Sequence, residues 1–182
     1  MSPMRKQPLA MEHALLGFLH RESMHAYQLH QQLTTACDLG LVWRIKEPQL
    51  YRLVGRLEEA GYIRAVAAPQ EMRPTRKMLH LTPAGEAAFQ DWLRAPVRHG
   101  RDLRLEFLAK LYFARQSGRD ATRALVAAQR AELQAEHDRL ADQAARIADA
   151  ASFDRLVLEF RLGQLRAMLE WLDLCEGEAI GD

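Results

Sequence analysis

KEPQLYRLVGRLEEAGYIRAVAAPQEMRPTRKMLHL, residues 46–81, changes its hydrophobic period at Gly61. Before that glycine, Leu50, Leu53, Val54 and Leu57 recur at spacings of three and four, which marks one apolar face of a helix. Pro48 suits the first helical position, where its missing N–H would have no partner in any case. That phase leaves Gln49, Arg52 and Arg56 facing largely outward, with Lys46 just ahead of the helix. After the glycine, Tyr62, Ile63, Ala65 and Val66 predict a strand, and Met78, Leu79 and Leu81 predict its partner. The stretch between them, PQEMRPTRK, is the tip of a hairpin and carries Arg73, Arg76 and Lys77 around Pro74 and Thr75.

Working outward, Leu9, His13, Leu16 and Leu19, with Leu15 and Phe18, predict a helix near the start. A second begins at about Ala26, carries Tyr27, Leu29 and Leu33, and fades in CDLGL. Beyond the hairpin, Thr82 caps a fourth helix with Pro83 at its first position; Gly85 stands where a full capping box would want Glu. A helix with a basic outer face followed by a two-stranded ribbon with a basic tip is what a winged helix-turn-helix presents to DNA. The fold class expected is therefore mainly α with a small β-hairpin wing.

The net charge is only +1, which argues against coating nucleic acid by bulk electrostatics. The charge is divided, however. Residues 1–101 carry 14 Lys and Arg against 9 Asp and Glu, net +5, and residues 102–182 carry 11 against 15, net −4. Phosphate contacts need local positive charge, so the basic half can meet DNA while the acidic half stays away. Cys37 and Cys175 are far apart and form neither a disulfide framework nor a CxxC motif. The apolar residues near the start are interrupted by Glu12 and His13, unlike a signal peptide, and no run approaches the ~18 apolar residues of a membrane span. These features lead to the expectation of a cytoplasmic protein with no membrane partner.

The segment APVRHGRD, residues 95–102, is the expected boundary between a DNA-binding domain at 1–101 and a helical domain at 102–182. Helices are expected over roughly Leu103–Arg115, from near Asp120 to about Asp149, and after Ser152. In the middle one Val126, Leu133, Leu140 and Ile147 repeat every seven residues, a thin coiled-coil-like seam. The last helix has two apolar rows: Phe153, Val157, Phe160, Ala167, Trp171 and Leu174, and Leu158, Leu162, Leu165, Leu169 and Leu172. A helix apolar over so much of its circumference needs burial from two directions, the second most simply another subunit. A homodimer with a two-fold interface is the expectation.

Outward charges on a helix usually form a solvated face. Their position here, between a turn and a basic hairpin, turns Lys46, Gln49, Arg52 and Arg56 into candidate DNA contacts, the arginines suited to guanine edges or phosphate and Gln49 to adenine. Tyr51 either donates its hydroxyl to a phosphate or packs against the second helix. Arg73, Thr75, Arg76 and Lys77 suit backbone or minor-groove contact. His25, Tyr27 and Gln28 are as much a mixed surface and core face as a phosphate contact. The seven histidines are scattered, so no metal site is expected, and no nucleophile elbow, phosphate loop or paired-acid motif supports catalysis or a cofactor. Trp43, Trp92, Trp171, Phe107, Tyr112, Phe113 and Phe160 could line an effector cavity, but aromatics at helical spacing are more often core.

LAMEHALLGFLHRESMHAYQL, PQLYRLVGRLEEAGYI and RPTRKMLHLTPAGEAAF together make the chain resemble the PadR family of transcriptional regulators over almost its whole length. The acidic half, opening with RLEFLAKLYFA, is similar to the long helical C-terminal domain of that family's larger members. Ala26 and Leu79 depart from the family's common glycine and tyrosine. The resemblance implies a dimeric winged-helix repressor of a two-fold operator on double-stranded DNA, in some members released by a phenolic acid or another small aromatic effector. The MarR family fits less well, because its dimerising helices usually precede the motif and here the extra mass follows it. A winged-helix protein that sequesters another regulator is the alternative, and the basic wing argues against it.

Overall fold

The computed structural model describes residues 10–34, 38–43, 45–68, 76–149 and 152–180. They fall into two compact units: one comprises residues up to Leu93 with Leu108–Phe113, and the other Arg94–Phe107 with residues from Ala114 onward.

The first unit runs α1 (Ala10–Arg21), β1 (Met24–His25), α2 (Ala26–Thr34), a 3₁₀ turn (Asp38–Leu41), α3 (Glu47–Glu59), β2 (Ile63–Ala68), β3 (Arg76–Leu81) and α4 (Pro83–Arg94). The strands form an antiparallel sheet in the order β1-β3-β2, with Met24 opposite Leu79 on one side and Ala65 opposite Leu79 on the other. The hairpin follows the sequence expectation, whereas β1 is an addition to it, because two residues are too short to display a period. Leu79 is buried between its two neighbouring strands, which suits leucine at a position where the family commonly has tyrosine.

Leu15, Leu16, Phe18, Leu29, Leu33, Leu50, Leu57 and Phe89 form the centre of this unit. Phe113 joins them: its ring meets Phe89 edge-on at 5.4 Å, and a Cβ on Gly17 of α1 would lie 2.7 Å from both rings. Trp92, Phe113 and Tyr112 are thus engaged ring on ring within this cluster. At the start of α4, the Thr82 hydroxyl accepts from the Gly85 N–H, confirming the cap, and reaches the Gly61 carbonyl at 2.7 Å. A side chain at residue 85 would place its Cβ 2.1 Å from the Tyr62 carbonyl oxygen. Close backbone approach therefore excludes the capping-box glutamate.

In the second unit, a short helix α5 (Gly100–Asp102) leads into a π-helical turn over Leu103–Phe107; the chain continues as α6 (Leu108–Ser117), of which Leu108–Phe113 belong to the first unit. One wider turn leaves no signature in so short a period, so the sequence reads this stretch as an ordinary helix. Two long helices follow, α7 (Arg119–Ala145) and α8 (Phe153–Ile180). Val126, Leu133 and Leu140 of α7 are buried, as are Leu158, Leu162, Leu165 and Leu172 of α8. Gln129, fully buried, accepts from the Val97 N–H and donates to the Val97 carbonyl, satisfying a peptide unit that has left regular structure. The other row of α8 is uncovered: Phe153, Val157, Phe160, Ala167 and Leu174 are exposed, and Trp171 is half-buried with its ring edge-on to Phe107. No helix among the described residues is long and apolar enough to cross a membrane.

Candidate nucleic-acid interface

The site is built on α3. Lys46 occupies the N-cap in extended conformation, and its carbonyl accepts the first helical bonds from Gln49 and Leu50. At the other end the Tyr62 N–H reaches the Leu57 carbonyl and the Gly61 N–H the Glu58 carbonyl, with Gly61 at φ 75°. This pair of bonds is a Schellman stop, and its left-handed residue is most easily glycine. The helix is thereby stopped at its C-terminal end, Pro48 lies in its first turn, and Leu50, Leu53, Val54 and Leu57 are its buried stripe.

Lys46, Tyr51 and Arg52 are exposed on α3, and Gln49 is half-buried at its N-terminal turn. Tyr51 is 49% exposed. Arg56 is different: its Nη2 lies 3.0 Å from the Glu12 carboxylate of α1, a side chain only 3% exposed. In the ribbon, Lys77 is exposed on β3 and Arg64 on β2, the latter absent from the sequence reading although its alternation with Ile63 already points it outward. Arg73 and Thr75 lie outside the described residues; Arg76 begins β3, and its side chain is outside them too.

Histidines fix the surroundings of this face. His25 Nδ1 lies 3.0 Å from the Lys77 carbonyl oxygen. A carbonyl can only accept, so the ring donates and β3 is tied to the start of α2. His30 Nε2 bonds in the same sense to the Ile45 carbonyl at 3.2 Å, just before α3. Gln28 caps α2 by accepting the His25 N–H, which gives His25 and Gln28 structural duties, while Tyr27, 54% exposed, accepts a hydrogen bond at its hydroxyl from Gln31 Nε2 at 3.1 Å. None of these tertiary links has a local sequence signal.

Among the described residues no three His, Cys, Asp or Glu side chains gather to hold a metal. The second unit contains a cleft of about 350 Å³ lined by Arg98, Arg101, Glu136, Arg161, Leu165 and Met168 among others. None of the seven aromatic residues considered for an effector cavity lines it.

A cationic face on the third helix of a small helical unit, beside an antiparallel ribbon, defines the winged helix-turn-helix class of nucleic-acid-binding proteins. Residues 15–91 match the transcriptional regulator PadR-like family, and residues 103–178 match the virulence activator alpha C-terminal domain. The chain thus carries a PadR-like domain, followed by a helical C-terminal domain that fits the larger members of that family, which consists of transcriptional regulators and not enzymes. It is 28% identical over 106 residues to the negative transcriptional regulator PadR of Bacillus subtilis, and 27% identical over 96 residues to the probable transcriptional regulator Rv1176c of Mycobacterium tuberculosis. These matches cover 57% and 51% of this chain and span about half the length of each relative, 56% and 50%. The crystal structure of Bacillus subtilis PadR in complex with operator DNA has a TM-score of 0.48 and 24% identity, covering 94% of this chain and 99% of that one.

Proposed function

We propose that the protein is a cytoplasmic homodimeric repressor that binds a two-fold operator in double-stranded DNA through α3 and the β2–β3 ribbon. The observation that carries the reading is the outer face of α3, where Lys46, Tyr51 and Arg52 are exposed and Gln49 is half-buried beside them, on a helix closed at its C-terminal end by Gly61. Gln49 and Arg52 suit base edges, Lys46 and Tyr51 suit phosphate, and Arg73, Thr75, Arg76 and Lys77 suit the flanking backbone. The basic domain at 1–101 meets DNA and the acidic domain at 102–182 holds the dimer, with the exposed row of α8 as the two-fold contact. The two α3 helices then enter successive major grooves about one turn apart, ~34 Å.

Repression follows from the likeness to a negative regulator, and release by a small aromatic effector from the family resemblance. The test is fluorescence anisotropy with a labelled duplex from the promoter of the protein's own gene against a scrambled duplex of equal length. Preferential binding that weakens steeply with salt is expected, because several Lys and Arg neutralise phosphates. Equal affinity for both duplexes at every salt concentration would defeat the assignment.

A further inference from the structure

We propose that Glu12 of α1 and Arg56 of α3 form a lock that sets the seat of α3, so that Arg56 positions the DNA-reading side chains and does not itself read DNA. This rests on the DNA-binding reading above and concerns how the same face is aimed. Glu12 is an outlier in its own helix: it lies among the buried residues of α1, and its side chain is 3% exposed. A carboxylate removed from water so completely requires a compensating cation or donors, and the guanidinium of Arg56 at 3.0 Å supplies the charge. Arg56 is half exposed, so the pair spans from the interior to the rim of the face that Arg52 occupies.

The position of each partner favours this role. Glu12 stands in the first turn of α1 and Arg56 in the last turn of α3. Each charge therefore lies at the end of its helix where the backbone dipole favours it. Helix-turn-helix proteins use the N-terminal part of the recognition helix against base edges. Lys46, Gln49 and Arg52 lie in that part, while Arg56 lies one turn further on, over the joint with α1. Gln49 and Arg52 sit on the same rigid helix, so a change in how α3 seats against α1 would move both together. Leu50, Leu53, Val54 and Leu57 can supply burial but not direction, because apolar contact is non-directional. The ion pair is a contact between two particular points, so it favours one seating of α3 among those that burial alone allows.

The lock makes a prediction whose sign opposes simple electrostatics. Removing a negative charge from a DNA-binding domain ordinarily strengthens its hold on a polyanion. If Glu12 acts through Arg56, Glu12→Gln instead weakens operator binding and lowers the ratio of specific to scrambled-duplex affinity.

The experiment uses the full chain and the two duplexes named above, with anisotropy measured over a salt series for the parent, Glu12→Gln, Arg56→Gln and the double variant. Losses of specific affinity of about tenfold that are equal for both single variants and no larger for the double are expected, as two partners of one link are not additive. The slope of log affinity against log salt should stay at the parent value. The lock is overturned if Arg56→Gln lowers that slope by about one while Glu12→Gln leaves affinity unchanged or raised, which is the behaviour of a phosphate contact. A parent protein that does not prefer its promoter duplex overturns the DNA-binding reading and the lock with it. If Glu12→Gln does not fold, Glu12→Asp and Arg56→Lys serve in its place: both keep the charges and alter the reach, so reduced specificity with an unchanged salt slope supports the lock and undiminished specificity overturns it.

Discussion

The two units solve opposite surface problems. In the first, α3 turns its leucines and valine inward and presents lysine, glutamine, tyrosine and arginine outward. In the second, α8 turns one leucine row onto α7 and presents another apolar row outward, with Phe153 77% and Phe160 66% exposed. The first surface is suited to a hydrated, charged partner and the second to loss of water. Periodicity alone does not separate them, since both helices have a regular buried stripe; the composition of the remaining face does. A polar face is complete in solvent, whereas a continuous apolar row marks a helix that is only half covered.

The largest expected effect breaks the covered side. Leu172 is fully buried and Leu174, two residues on, is 65% exposed. Leu172→Ala should cost about 2–5 kcal/mol of stability through lost burial and a cavity, whereas Leu174→Ala should leave a diluted, monomeric protein within about 0.5 kcal/mol of the parent. Urea unfolding at low protein concentration checks both; equal costs would mean that the two rows are not functionally distinct. The next tests the open side. If the proposed dimer forms through this row, Phe160→Asp should give a monomer in light scattering where the parent gives a dimer, while the far-ultraviolet circular dichroism spectrum stays helical, and promoter affinity should fall because one half-site contact remains in place of two. A variant that remains a dimer removes this row from the interface.

On the charged face the effect is smaller. Arg52→Ala should weaken promoter binding by about 1–3 kcal/mol and relax discrimination at one base pair, as read from a panel of single-base variants of the duplex. Uniform weakening across the panel would make Arg52 a phosphate contact, and no weakening would take α3 out of the interface.

The sequence displays α3 well because four apolar positions repeat across about two turns and Pro48 and Gly61 punctuate the ends. The hairpin is legible because two short apolar runs, around Ile63–Val66 and Met78–Leu81, flank a polar tip with Pro69 and Pro74. What stays hidden depends on partners distant in the chain. Glu12 reads as an interruption of an apolar run, and nothing near it announces Arg56. Gln129 reads as a polar flaw in the α7 seam, but it clasps a peptide unit at Val97. Gly85 reads as a weak cap until the Tyr62 carbonyl fills the space a Cβ would need. Local chemistry is visible in a sequence, whereas a compensation between distant residues becomes visible only when the chain has folded.

The smallest effect separates the ion pairs of the acidic unit from the apolar contacts beside them. Glu136 of α7 accepts two hydrogen bonds of 2.7 Å from Arg139 and lies 3.4 Å from Arg161 of α8. Hydrogen bonding from Arg139 holds its carboxyl below the usual range; partial burial pulls the other way, and the charges of Arg139, Arg161 and His99 add to the lowering. Because the folded value lies below the unfolded one, the unfolded chain binds more protons as pH falls through that window. The stabilisation is therefore complete above the ordinary carboxyl value of 4.5 and is lost as pH drops through the folded value. Arg139 is 58% exposed, so solvent screens the pair and the contribution is small. Arg139→Gln should thus lower the urea midpoint slightly at neutral pH, with the difference from the parent closing as the solution is acidified below the carboxyl value. A difference that stays constant through that range would assign Arg139 a role independent of Glu136, whereas Leu172→Ala, which removes no charge, should show that constancy.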